Sequence, residues 1–226
     1  LILSSQDANN DFEKFFPHHQ CKLHILNFAV THPNYQKHNL DELLINYQIK
    51  QPYFFSSNQF WAHKNHIVVL KAAKLLKEKG LNFTIAFSGK ETDSRNPDYF
   101  QSIKTFVTEN NLETNIRFLG FMDREHQLKL MQNAVAIIQP SLFEGWSTVV
   151  EDAKAMNQYI IASDLKVHRE QLHANADFFK PYDEKELAEL LEKNIAALPQ
   201  ITKTDYSKNI SLFGKTFINI TKRSTS

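Results

Sequence analysis

Over most of its 226 residues the chain alternates short apolar runs, bounded by turn residues, with longer segments of helical period. This alternation is what parallel strands joined by crossover helices require, so it predicts an α/β fold with a largely parallel sheet. From residue 53 the strands fall at 53–57, 82–87, 116–119, 135–138 and 159–162. Helices are expected at about 64–79, 97–110, 125–132 and 148–156, with two more near 185–198 and 206–221. In the first of these, Ile67, Leu70, Ala73 and Leu76 share one face and Gly80 stops the helix. Residues 53–198 therefore read as one doubly wound, Rossmann-like domain of six or so units.

The flanks read differently. Residues 1–5 look like a strand already under way, 7–16 like a short helix ended by Pro17, and 22–28 like a second strand. Residues 1–30 are thus expected to end a preceding domain and cross into this one. Residues 31–52, with Pro33 and several Asn and His residues, read as a linker or mobile loop. Residues 199–226 read as a closing helix that packs on the preceding domain. A start at Leu1, with no methionine or basic leader, fits a piece of something longer.

Composition narrows the function classes. A hydrophobic content of 42% supports a sizeable core. A net charge of +1 lacks the surplus that drives binding to nucleic-acid phosphates. With 23% charged residues and no apolar run approaching roughly 18 residues, no transmembrane helix is expected, although peripheral membrane contact stays open. Cys21 is the lone cysteine, so intrachain disulfides and cysteine-based metal clusters are excluded, which suits a reducing cytoplasm.

Ligands of open α/β sheets bind beyond the carboxyl ends of the strands, which singles out the loops at 58–65, 89–94, 120–124 and 141–148. The last leads into PSLFEGWSTVVEDAKAM (140–156). There Gly145 permits close approach of a ligand, and the N–H groups near Ser147 and Thr148 form an anion site at a helix start. Thr148 and Glu151 read as a capping box, making Glu151 structural and leaving Asp152 to face the loop. Glu144 and Asp152, eight residues apart, either share a cleft as acceptors for sugar hydroxyls or are solvated acids at a helix N-terminus. In NQFWAHKNH (58–66), Lys64 is placed to reach a diphosphate. His63 and His66 lack a carboxylate in register, so a metal is disfavoured, and Trp61 reads as packing or a rim. Gly89 and Gly120 read as tight turns, with backbone contact to a ligand as the sharper option. His168, Arg169 and Glu170 read as a salt-bridged structural loop. No GxSxG, HExxH, Walker or GxGxxG motif occurs.

These blocks, together with SSQDANNDFEKFFP (4–17), NIRFLGFM (115–122) and IIASDLKVHREQ (160–171), resemble the carboxyl-terminal, donor-binding domain of a family 4 retaining glycosyltransferase of GT-B fold. The resemblance implies a nucleoside diphosphate sugar as donor, no metal, and no resident cofactor. It implies a saccharide or lipid-linked saccharide acceptor held by the amino-terminal domain, in bacterial glycan synthesis at the inner face of the membrane. Glu144 then takes the role of the first glutamate of the family's E-x7-E pattern, near the donor sugar, and Asp152 that of the second, at the ribose. Lys64 meets the diphosphate, Gln59 replaces an arginine usual there, and Asn58 and Gly89 belong to the same wall. Gly145, Trp146, Ser147 and Thr148 form the loop that meets sugar and phosphate, and Phe121 lies at the nucleobase. Catalytic roles fall on Lys64 and Glu144, and the chain alone is expected to be inactive. A nucleotide-sugar binding module without transfer and a nucleotide-sugar epimerase on the same fold are the alternatives.

Overall fold

The computed structural model describes residues 1–223. In chain order the elements begin with β1 (Ile2–Leu3), α1 (Gln6–Phe15) and β2 (His24–Ile25), then a 3-10 turn at Tyr35–Lys37 and α2 (Leu40–Asn46). Next come β3 (Tyr53–Ser57), α3 (His66–Glu78), β4 (Thr84–Ser88), α4 (Tyr99–Glu109) and β5 (Ile116–Phe118). They are followed by α5 (Arg124–Asn133), β6 (Ile137–Gln139), α6 (Thr148–Ala155) and β7 (Ile160–Ser163). The chain ends with α7 (Lys166–Gln171), β8 (Ala176–Phe179), α8 (Glu184–Ala196) and α9 (Ser207–Arg223).

Strands β3 to β8 form one parallel six-stranded sheet in the order β5-β4-β3-β6-β7-β8. Its central strands are buried on both faces because they read YFFSS, TIAFS and IIAS, apolar or small at nearly every position. Successive side chains still feed opposite sides. Phe54, Ile85, Phe87, Ile138 and Ile161 enter one core, with α3 and α8, through Leu70, Leu76 and Leu191. Tyr53, Phe55, Ala86, Ile137 and Ile160 enter the other, with α2, α5 and α6, through Leu43, Leu128 and Val150. This period of two is the physical content of a doubly wound fold. The strand order reverses between β3 and β6, so the crevice outside their carboxyl ends is the switch point where such sheets bind ligands.

Three elements depart from the sequence reading. Residues 31–52 carry α2, whose Asn39 side chain accepts from the backbone N–H groups of Asp41 and Glu42 and whose Leu43 and Leu44 are buried against the sheet's second core. The segment expected as a linker is therefore packed where it passes α5. Helix α7 and edge strand β8 lie in a stretch read as connecting chain. Strand β8 is partly exposed at three of its four positions, so it lacks the buried apolar run that marks its neighbours. Upstream, β1 and β2 pair in parallel as a separate two-stranded sheet, and α1 between them rests on α7, whose Glu170 accepts from Gln6 N and Asp7 N at 2.8 and 3.2 Å.

The core also holds titratable groups. His66 is fully buried and stacked on Phe60 with ring centroids 4.4 Å apart, and burial pushes its pKa down from 6.5 to about 3. Burial also lowers the pKa of His168. In both cases the native state refuses a proton that the unfolded chain accepts below its ordinary pKa, so this stability is present above about pH 6.5 and is lost as the pH falls. Between pH 7 and 5 the loss is expected to reach roughly 2 kcal/mol for His66. Urea midpoints at the two pH values should converge in His66→Leu relative to wild type. An unchanged difference would show that His66 is not the group titrating.

Candidate functional site

Four loops meet at the switch point. After β3 the chain turns through a 3-10 turn at Ala62–Lys64, and Asn65 takes a left-handed conformation at φ 53°. The Asn65 amide donates to Pro140 O at 3.1 Å and Pro181 O at 2.7 Å, and Leu142 N donates to His63 O at 2.8 Å. The loop after β3 is thereby stitched to the one after β6. Gly89, after β4, sits at φ 150°, and a Cβ there would lie 2.1 Å from Asn58 O. Its N–H donates to Gly120 O, bringing in the loop after β5.

Between these loops lies a cavity of about 360 Å³. Asn58, Gln59, Lys64, Gly89, Phe121, Glu144, Trp146, Ser147, Thr148 and Asp152 all line it. Of the residues expected at the donor, Gly145 alone is not among its lining; it packs near Ser4, whose Oγ would be 3.2 Å from an added Cβ. Trp61 is part of the wall, with the Arg95 guanidinium 5.1 Å from its ring centre, which makes it a rim. His63 and His66 do not come together as ligands, since His66 is buried in the core. Arg169 pairs with Asp164 at 2.7 Å and Glu170 caps α1, so these residues hold the fold.

Lys64 and Glu144 form an ion pair at 2.6 Å, with side chains 14% and 10% exposed. The same Glu144 oxygen accepts from the Gln139 amide and the Ser141 hydroxyl, each at 2.7 Å. Gln139 is fully buried at the end of β6, and its oxygen accepts from the Asn58 amide at 2.9 Å. The acid and the lysine are thus fixed before any ligand arrives. Gln139 and Ser141 escaped the sequence reading, yet a glutamine inside the apolar run IIQP was a signal, because buried polar side chains are kept where their hydrogen bonds are used.

Asp152 lies on the other side of the cavity, 1% exposed. It is not free: its Oδ1 accepts from Arg124 at 2.5 Å and pairs with His32 Nε2 at 3.0 Å. His32 belongs to the segment read as a linker. The expected capping box also differs. Ser147 is the N-cap of α6, its Oγ accepting from Val150 N, and its own N–H donates to Gln171 Oε1 at 3.0 Å. Thr148 and Val149, the first two residues of α6, remain to present N–H groups to the cavity. Glu151 is structural, but through other contacts: it accepts from Lys154 one turn on and, at long range, from Gln171 and the Tyr206 hydroxyl, and that hydroxyl also accepts from Val30 N. The Tyr206 pKa is pushed up by burial and by the Glu151 carboxylate.

The family model described as glycosyl transferases group 1 matches residues 45–209. The O-antigen chain mannosyltransferase RfbU of Salmonella typhimurium is 29% identical over 150 residues, which cover 66% of this chain and 40% of that protein. The structure of Anabaena HepE in complex with UDP and glucose superposes with a TM-score of 0.76 at 15% identity, over 100% of this chain and 62% of that one. A glycosyltransferase from Rickettsia africae superposes with a TM-score of 0.74 at 19% identity, over 96% of this chain and 58% of that one. The chain therefore spans about two fifths of the mannosyltransferase and about three fifths of the two structures. At these identities the superpositions show the fold, a six-stranded parallel sheet that matches one half of the GT-B architecture.

Proposed function

Since the chain belongs to the group 1 glycosyl transferases, we propose that it is the donor-binding part of a retaining enzyme that moves a hexose from a nucleoside diphosphate sugar to an acceptor hydroxyl. The observation that carries this reading is the cavity at the switch point, with the Lys64–Glu144 pair on one wall and Asp152 on the other. Glu144 stands at the donor sugar and Asp152 at the ribose. Lys64 and the first N–H groups of α6 meet the diphosphate, whose negative charge grows as the glycosidic bond breaks, and donors already in place stabilise that charge without reorganising. Phe121, 83% exposed at the cavity mouth, offers its ring to the base. No metal is needed in this arrangement.

The acceptor is a saccharide or a lipid-linked saccharide in bacterial glycan synthesis, held by an amino-terminal domain. RfbU is by name an O-antigen chain mannosyltransferase, which supports a hexose and a glycan. Uridine is the first base to test, because HepE binds UDP and glucose. No helix among the described residues is long and apolar enough to cross a membrane.

A thermal-shift panel of this chain with UDP, GDP, ADP and a phosphate control, with and without magnesium, tests the reading. A ligand at 100 times its dissociation constant stabilises the native state by about 2.7 kcal/mol. The expected result is a rise of the midpoint with one nucleotide, indifferent to magnesium and abolished in Asp152→Ala. Equal shifts in wild type and Asp152→Ala would remove Asp152 from the site, and no shift with any nucleotide would count against donor binding by this chain.

A further inference from the structure

Outside the donor cavity, a second group of side chains gathers where the segment around the 3-10 turn and α2 crosses the start of α5. One ligand atom each from His38, Asp123 and His126 lies within 4.8 Å of the others. The two imidazole rings meet edge to face with centroids 4.5 Å apart. Glu125 joins them, its Oε2 2.8 Å from His38 Nε2. None of these four residues lines the donor cavity, although Met122, Arg124 and Gln127 on the same stretch do.

The chemistry of this set is that of a metal site. Imidazole nitrogens and carboxylate oxygens suit a borderline ion such as zinc, which takes four ligands from such donors. Tyr47 supplies an outer contact, its hydroxyl 3.0 Å from His126 Nδ1, which orients the ring and leaves Nε2 for a ligand. The start of α5 carries a positive partial charge that opposes a cation, and Lys37, 2.7 Å from Glu125, adds to it. Two carboxylates answer that charge. Asp123 Oδ1 accepts from the N–H groups of Glu125 and His126 at 2.8 and 3.3 Å, and Glu125 Oε2 lies against the Lys37 and His38 side chains. Lys37 is 57% exposed, so its ion pair with Glu125 lies at the surface.

We propose that His38, Asp123 and His126 bind a zinc ion that ties the segment before β3 to the start of α5. The role is structural. The ion lies outside the cavity, so this proposal stands or falls independently of the donor reading.

The experiment is a calorimetric titration of zinc chloride into the chelator-stripped chain, in a Cys21→Ser background. That background matters because Cys21 is exposed and its Sγ lies 3.5 Å from His19 Nδ1, which is a second pair of zinc-ligating atoms. One ion per chain is expected. Binding should weaken by more than about 100-fold in His38→Gln and in His126→Gln, and by about 10- to 100-fold in Tyr47→Phe, the range for loss of an outer contact. Circular dichroism in chelator should show each variant folded as the parent. Cobalt in place of zinc should give the visible bands of a four-coordinate site, absent in both glutamine variants. A Cys21→Ser chain that takes up no zinc, or glutamine variants that bind it as tightly as their parent, would overturn the proposal.

Discussion

Gly89→Ala is expected to cost about 2–6 kcal/mol of stability, summing roughly 1–3 kcal/mol of backbone strain and 1–3 kcal/mol of overpacking. Two observations add up here. At φ 150° the residue occupies backbone space that side chains rarely enter, and the added Cβ would lie 2.1 Å from a backbone oxygen, Asn58 O, which no rotamer change can move aside. Relief requires the loop after β3 to retreat from the end of β4. That loop carries Lys64, and Asn58 carries the contact to Gln139, so the wall of the cavity moves with it. Chemical denaturation reads the stability, and nucleotide-induced thermal shift reads the wall. Gly120→Ala is the contrast: at φ 65° its added Cβ meets nothing closer than a flexible Glu91 oxygen at 3.9 Å, so the cost is the smaller one of a left-handed residue. If the two variants lost the same stability, close approach at Gly89 would not be the cause.

The parts of this fold that were legible in the sequence are those whose signal is local. Strands such as YFFSS and IIAS are apolar throughout because both faces are covered, and the amphipathic period of α3 marks its buried face. Strand β8 was illegible because an edge strand needs only one good neighbour, so ADFF shows no such run. Helix α2 had its cap, Asn39, and its apolar pair, Leu43 and Leu44, but neighbouring Pro33 and polar residues argued for loop. At the site, Lys64, Glu144 and Asp152 were visible by type and spacing, and the cavity brings them together. Their partners were not. Arg124 and His32 reach Asp152 across 28 and 120 residues, and Gln171 reaches the Ser147 N–H from 24 residues away. Such contacts are set by tertiary packing, which no window of sequence contains.

These partners change how the site has to be read. Asp152 already accepts from Arg124 and His32 at one oxygen, so its carboxylate is held in a fixed position with the other oxygen left over, which is what the proposed ribose contact requires. Two groups thus hold the short arm of Asp152 still. Through His32 the segment before α2 also braces Asp152, although His32 itself does not line the cavity.

Lys64→Ala is expected to lower kcat/KM by roughly 30- to 1,000-fold in a protein carrying both halves, the equivalent of about 2–4 kcal/mol for one lost donor to developing charge. The loss has two sources that can be separated. Removing the ammonium takes a cation from the leaving diphosphate, and it also exposes that diphosphate to the Glu144 carboxylate, until then paired at 2.6 Å. Breaking a fully buried pair costs about 3–5 kcal/mol of stability; here both side chains keep some exposure, so about 1–3 kcal/mol is expected. Lys64→Met combined with Glu144→Gln removes both charges while Gln139 and Ser141 still have an amide to bond. The double variant should recover most of the stability, because no unpaired charge is left behind, and none of the turnover, because the cation is gone. A Lys64→Ala enzyme with unchanged turnover would end the assignment of Lys64 to the diphosphate. Recovery of turnover in the double variant would show instead that Lys64 serves only to neutralise Glu144.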